Sequence, residues 1–197
     1  MRSIGWLQPL ATENTTILMS DYSLQDRMAM RAPRRPAVSD AAFRSALSGL
    51  ASGVHVVTAS DRVERVGRTV TSVLSLSDKP PSVLISIDNS SRLSEIIAST
   101  GSFSMAMLAA DQSEIGDAFA GRLGLDDRFV IGNWGTWSSG QPKLESAVSV
   151  IDCEVIGSME TPTHLLFVGA IVEAETDHRL LPLIWSRHGY HGVSGLD

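Results

Sequence analysis

The segment RTVTSVLSLSDKPPSVLISIDNSSR, residues 68–92, restricts the fold more than any other stretch. Two runs rich in apolar and hydroxyl side chains flank a Pro-Pro pair. Proline lacks a backbone N–H and belongs at turns and strand starts. The segment therefore predicts two neighbouring strands joined by a turn at residues 79–81. Side chains alternate along a strand, so Thr69, Thr71, Val73, Ser75 and Ser77 share one side. Val70, Ser72, Leu74 and Leu76 share the other. A row of hydroxyls has two explanations. It is the solvent face of a half-buried strand, or it supplies uncharged donors to a ligand with many acceptors.

The second run ends in Asp88-Asn89-Ser90-Ser91-Arg92 and passes into a helical pattern. A helix start offers free N–H groups and the positive end of the dipole. Ser90 and Ser91 add hydroxyl donors, and Arg92 adds a guanidinium suited to phosphate oxygens. Ordinary capping by Asn89 or Ser90 explains the same residues. Both hydroxyl-rich segments flank one turn, so they should be neighbours in space. Together they favour a phosphorylated, oxygen-rich ligand.

The rest of the chain predicts a β-rich domain. Residues 1–38 show no sustained period and read as an irregular extension; the domain is expected over 39–197. Ser39 or Asp40 caps a helix with Phe43, Ala46, Leu47 and Leu50 on one face. VHVVTAS is a strand, SRLSEIIAST a short helix with Leu93, Ile96 and Ile97 inward, and SFSMAML a strand. DQSEIGDAF carries a capping box, Asp111 with Glu114, and an apolar face of Ile115, Ala118 and Phe119. After a long connection over 121–146, three strands follow in AVSVIDCEVIG, HLLFVGAIVEAE and LPLIWS. At least six strands with few helices imply a small antiparallel barrel with helices packed outside.

The net charge of −6 argues against a nucleic-acid partner. The cluster Arg31, Arg34, Arg35 is short and broken by Pro33 and Pro36, so it reads as a solvated linker. No apolar run approaches the roughly 20 residues that span a bilayer, so no membrane is expected. The start of the chain shows no secretory pattern. The lone Cys153 fits a reducing, cytoplasmic setting.

Other chemistry-bearing residues have plain structural explanations too. His164 opens an apolar strand, as an edge residue or as a group that orients an anionic partner near neutral pH. His188 and His191 lack companion ligands, so no metal is expected. His55 should face outward from its strand. Asp152 and Glu154 should share a solvent-facing side and form no acid/base pair. Trp134, Trp137 and Trp185 pack in a core or interface, or stack on a ring system.

Read in order, six segments resemble the flavin reductase family, the FMN-binding split-barrel proteins that act as reductase components of two-component flavin-dependent monooxygenases. They are FRSALSGLASGVHVVTA, GRTVTSVLSLSDKPPSVLISID, NSSR with GSFSMAML, DRFVIGNWGTWSSGQPKLESAVSVIDCEV, THLLFVGAIVEAE and LPLIWSRHGYHG. The chain departs from the family pattern at Val73, Leu93, Ala106 and Pro162-Thr163. The resemblance implies a mainly β fold, a six-stranded antiparallel Greek-key split barrel with a few peripheral helices. It implies that Thr69, Val70, Thr71 and Ser72 contact the flavin ring and ribityl chain. Ser75, Asn89, Ser90, Ser91 and Arg92 would hold the phosphate end. Gly53, Val54 and His55 would border the flavin, and His164 would stand near the nicotinamide as the catalytic residue. The implied activity is hydride transfer from NADH or NADPH to FMN or FAD, serving a separate oxygenase through diffusing reduced flavin. The implied assembly is a homodimer. Two alternatives stay open: a split-barrel oxidoreductase with tightly held FMN and another acceptor, and a non-catalytic flavin-storage protein.

Overall fold

The structure, a computed structural model, describes residues 32–124 and 127–194. Most of the expected extension lies outside these residues. Residues 32–39 carry neither helix nor strand. Ser39 then caps α1 (Asp40–Leu47), its Oγ accepting from the Ala42 N–H at 3.3 Å. Asp40 sits at the positive end of the helix dipole.

Alternation builds the next elements in turn: β1 (Ser52–Gly53), β2 (His55–Ser60), β3 (Arg65–Val70), β4 (Val73–Asp78) and β5 (Pro81–Asp88). Pro81 opens β5, where its missing N–H costs no ladder bond. Helix α2 (Arg92–Thr100) starts under a Ser91 cap and ends at Gly101, whose φ of 69° is a left-handed cap. Next come β6 (Ser102–Met107) and α3 (Ser113–Asp117), followed by π-helical and 3-10 turns. A small hairpin of β7 (Trp134–Thr136) and β8 (Pro142–Leu144) occupies the long connection. The long strands β9 (Ser149–Glu160) and β10 (His164–Thr176) precede a terminal hairpin, β11 (Ile184–Ser186) and β12 (Gly189–His191).

One difference from the expected strands defines the architecture. The run from Thr69 to Ser77 is two strands, with Thr71 and Ser72 in neither. β3 pairs with β2, and β4 pairs with β5. They form the opposite edges of the main sheet, ordered β3-β2-β6-β9-β10-β5-β4. Its two edges are thus halves of one interrupted strand. Counted that way the sheet is six-stranded and wraps round to meet itself at residues 71–72. This is a split barrel.

Inside it pack Val57, Ile85, Phe103, Ile151 and Phe167, closed off by Leu93, Ile96 and Ile97 of α2. Fully burying each such side chain contributes about 1.5–3 kcal/mol. Gly169 makes room for Phe103: a Cβ there would lie 2.5 Å from the ring. A second core lies outside the sheet, where Val54, Val56, Phe119, Phe129 and Trp137 meet beneath α3 and the β7–β8 hairpin. There Phe119, Phe129 and Trp134 form an aromatic cluster with centroids 4.9–5.4 Å apart, Phe129 meeting both other rings edge-to-face.

Three expectations change. The capping box of Asp111 and Glu114 does not form, because α3 begins at Ser113 and Gln112 turns its Oε1 back to the Ala109 N–H. Asp152 is 1% exposed, since the segment bearing Trp137 and Ser139 folds over its face of β9. His55 is also buried, at 6% exposed, with Gly53 of β1 packed close against its ring.

Candidate functional site

The interruption at residues 71–72 leaves backbone outside any ladder, so alternation fails there. Thr71, Ser72, Val73 and Leu74 in succession line one cleft of about 760 Å³. Leu84, Ile85 and Ser86 of β5 form its floor, and Trp185 with His188 forms one wall. Phe43, Arg44 and Leu47 of α1 lie across it. A hydrogen bond of 2.6 Å from the Arg187 N–H to the Ser48 carbonyl ties the end of α1 to the β11–β12 turn. That turn holds Arg187 and His188 at φ of 48° and 63°, unusual for non-glycine residues. Beside the cleft lies a chamber of about 350 Å³, lined by Val54, Arg68, Thr69, Arg122 and Tyr190. Thr71 and Trp185 border both spaces.

The expected flavin-contacting residues fall into two groups. Val54, Thr69, Thr71 and Ser72 line the two spaces. The Thr69 hydroxyl is spent on the Gly116 carbonyl at 2.6 Å. Val70 leans against the barrel core. Gly53 and His55 stand just behind, and a Cβ at Gly53 would lie 2.9 Å from the His55 ring. His55 pairs across the ladder with Val70, and its Nδ1 is buried without a partner. Burial lowers its pKa, while backbone groups of Val70 and Gly53 oppose the shift.

The second group sits at the far end of β5. Asp88 caps the turn, accepting from both the N–H and the hydroxyl of Ser90. Those bonds hold its carboxyl below the usual range, helped by His164 and Arg68 nearby. Ser91 donates to the Asp88 carbonyl and caps α2. Asn89 donates weakly to the Pro162 carbonyl at 3.5 Å. The Arg92 guanidinium reaches Glu64 at 2.6 Å, Glu95 at 2.8 Å and Asp61 at 3.5 Å. A phosphate at this turn would compete with three carboxylates. His164 lies opposite Asp88 in the ladder, exposed, with its Nδ1 2.9 Å from the Thr163 hydroxyl. Ser75 is exposed on β4, and neither it nor residues 89–92 nor His164 lines the two spaces.

Several lining residues were not singled out as ligand contacts from the sequence: Arg68, Leu84, Ser86 and the apolar face of α1. Arg68 did leave a signal, a lone charge placed directly before the hydroxyl run. The sole cysteine, Cys153, is buried and its thiol is pushed up to about 12, so it is no nucleophile.

Comparison with known proteins gives the same picture. The profile described as "Flavin reductase like domain" matches residues 47–194. "FMN reductase (NADH) RutF" of Ancylobacter novellus is 33% identical over 165 residues, covering 83% of this chain and 91% of its own. The solved structure of flavin reductase PheA2 superposes with a TM-score of 0.73 at 26% identity, over 80% of this chain and 100% of that one. The styrene monooxygenase flavin reductase of Pseudomonas putida S12 superposes with a TM-score of 0.70 at 28% identity, over 78% and 98%.

Proposed function

The chain belongs to the flavin reductase like family, and from that premise we propose that it is an NADH:flavin oxidoreductase whose flavin lies in the cleft at residues 71–74. The cleft itself carries the reading. Its 760 Å³ falls in the range of small-molecule sites. Its walls join apolar surface for a flat ring, from Val73, Leu74, Leu84 and Trp185, to hydroxyls from Thr71, Ser72 and Ser86. A flavin has that duality, an apolar tricycle edged by carbonyls and nitrogens and a polar ribityl tail. The flavin supplies the hydride-accepting chemistry when bound. The protein's own work is placement. The strand break frees backbone N–H and C=O groups at Thr71 and Ser72 to meet polar ring edges. Trp185 and α1 exclude water, and Gly53 and His55 stiffen the wall behind.

FMN is the flavin we assign, with NADH as donor, in line with the relatives' activity; FAD and NADPH are the competing ligands for the assay. His164 is the proposed residue on the nicotinamide side, and reduced flavin would pass to a separate oxygenase. We also propose a homodimer. Helix α1 buries none of its residues, and five of the six residues of β4 are exposed. A helix of eight residues does not persist in water without packing. A second copy laid over this face would cover it and roof the cleft. We assign the domain to residues 39–197, with residues 1–38 as an extension.

The deciding experiment is NADH oxidation by the purified protein with and without added FMN. Flavin-dependent turnover supports a reductase that exchanges its flavin. A protein that stays yellow through gel filtration and oxidises no NADH supports storage. His164→Ala should slow flavin reduction in stopped flow far more than it weakens FMN binding. An unchanged reduction rate removes His164 from the reaction.

A further inference from the structure

The β11–β12 hairpin turns on two residues. Ser186 pairs with Gly189, so Arg187 and His188 form the whole connection. Both have positive φ, 48° and 63°. Two-residue hairpins of this kind favour Asn-Gly or Gly-Gly, because a Cβ in the left-handed region crowds the following carbonyl. Among the described residues, Ser146 is the one other non-glycine residue with positive φ. A costly backbone conformation at two successive residues persists where something else depends on it.

The main chain does not supply that dependence. The bond of 2.6 Å from the Arg187 N–H to the Ser48 carbonyl is one that glycine would make equally. Arg187 is exposed and lines neither the cleft nor the chamber. His188 differs, since it lines the cleft together with Trp185 of the same hairpin. The rings of His164 and His191 are engaged by Thr163 at 2.9 Å and by the Ser186 carbonyl at 3.0 Å. The exposed His188 ring has no hydrogen-bond partner among the described residues. No carboxylate lines the cleft, so no acid there competes for an imidazole N–H. A flavin ring presents carbonyl and nitrogen acceptors along one edge, and an imidazole always has at least one N–H to give.

We propose that His188 is a ligand contact: the turn holds a glycine-like conformation so that the imidazole N–H donates to an acceptor on the edge of the ring bound in the cleft. The proposal rests on the flavin reductase reading. Glycine at either turn position relieves the backbone, so His188→Gly and Arg187→Gly should each raise the melting temperature by about 2–4 °C. Their ligand binding should differ. His188→Gly should bind FMN about five- to tenfold more weakly in a fluorescence titration, and riboflavin by the same factor, because the contact is to the ring. Arg187→Gly should bind both as wild type does. His188→Asn, which tolerates the left-handed region and keeps a side-chain N–H, should recover part of the loss. A more stable His188→Gly protein with unchanged affinity would overturn the contact, as would a loss confined to FMN or an equal loss in Arg187→Gly. A His188→Gly protein that melts no higher than wild type would remove the strain from which the contact is inferred. A wild-type protein that neither binds FMN nor oxidises NADH fails the functional reading itself, before any variant is compared.

Discussion

The exposed face formed by α1 and β4 makes a quantitative claim about assembly. Phe43, Leu47, Leu50, Leu74 and Leu76 are 55%, 51%, 63%, 55% and 46% exposed. Complete burial of such a side chain is worth about 1.5–3 kcal/mol, so roughly half burial leaves about 1 kcal/mol unrealised in each. Five such residues leave about 5 kcal/mol per subunit. A two-fold interface uses the same patch twice, or about 10 kcal/mol in all. Association costs on the order of 4–15 kcal/mol, so the patch can sustain a dimer with little excess. Leu76→Glu is the sharpest perturbation, because Leu76 belongs to the patch and does not line the cleft. It removes the leucine twice and places two carboxylates at a surface meant to be dry. A loss of several kcal/mol raises the dissociation constant by about a thousandfold or more. Sedimentation velocity over a micromolar dilution series should show a wild-type dimer and a monomeric variant. FMN titration of that monomer should reveal weaker binding, since the roof of the cleft is gone. A variant that sediments as a dimer, or a monomeric wild type, would refute the assignment of this face.

The remaining predictions concern the barrel wall and its buried charges. Gly169→Ala drives a methyl into Phe103 and Cys153, at 2.5 and 2.9 Å; thermal melts should show a loss of about 1–3 kcal/mol, and an unchanged melting temperature would mean the wall yields freely. Asp152 is buried with neither carboxylate oxygen in a well-formed hydrogen bond, and desolvation followed by the charge of Glu173 raises its pKa. The folded state then holds this proton more tightly than the unfolded state, so stability declines as pH rises through the window above the ordinary Asp value. Asp152→Asn should melt a few degrees higher at neutral pH, with the gain vanishing in acid, and no gain at neutral pH would contradict it. His55 has the opposite linkage. Its folded pKa is depressed by burial, so its contribution is complete above about pH 6.5 and is lost as pH falls towards the folded value. Urea melts at about pH 7.5 and about pH 5.5 should differ more for wild type than for His55→Gln; equal differences would place the slope elsewhere.

Local patterns carried much of this fold, and long-range pairings carried what they could not. Leu93, Ile96 and Ile97 fall inward on α2 as their spacing requires. Pro81 starts a strand, and the Ser39 cap forms as its chemistry requires. The apolar stripe on α1 is equally real, but its spacing is the same whether its own barrel or another chain covers it. Asp152 looked solvent-facing because alternation reports a side of a strand and not what lies over that side. Its cover arrives from the segment bearing Trp137 and Ser139, separated from it by a turn and another strand. Arg92 looked free for the same reason, since Asp61 and Glu64 are distant in sequence and adjacent only once β2 and β3 fold back.

The site depends on the feature hardest to see in the sequence. The hydroxyl-apolar alternation from Thr69 to Ser77 is exchanged only at Ser72 and Val73, so the run still reads as one continuing strand. A strand has two edges, and here each half uses only one: β3 bonds to β2, while β4 bonds to β5. Strand twist makes the two demands incompatible along a single straight segment. The chain resolves them by leaving Thr71 and Ser72 unpaired. That defect would be costly in a closed core, because free backbone groups need partners. At the mouth of a cleft it becomes useful, since both residues line the space that the proposed flavin would occupy. The opening that lets the sheet turn on itself also leaves backbone donors and acceptors unpaired beside the proposed flavin cleft, so fold and proposed site share one structural cause.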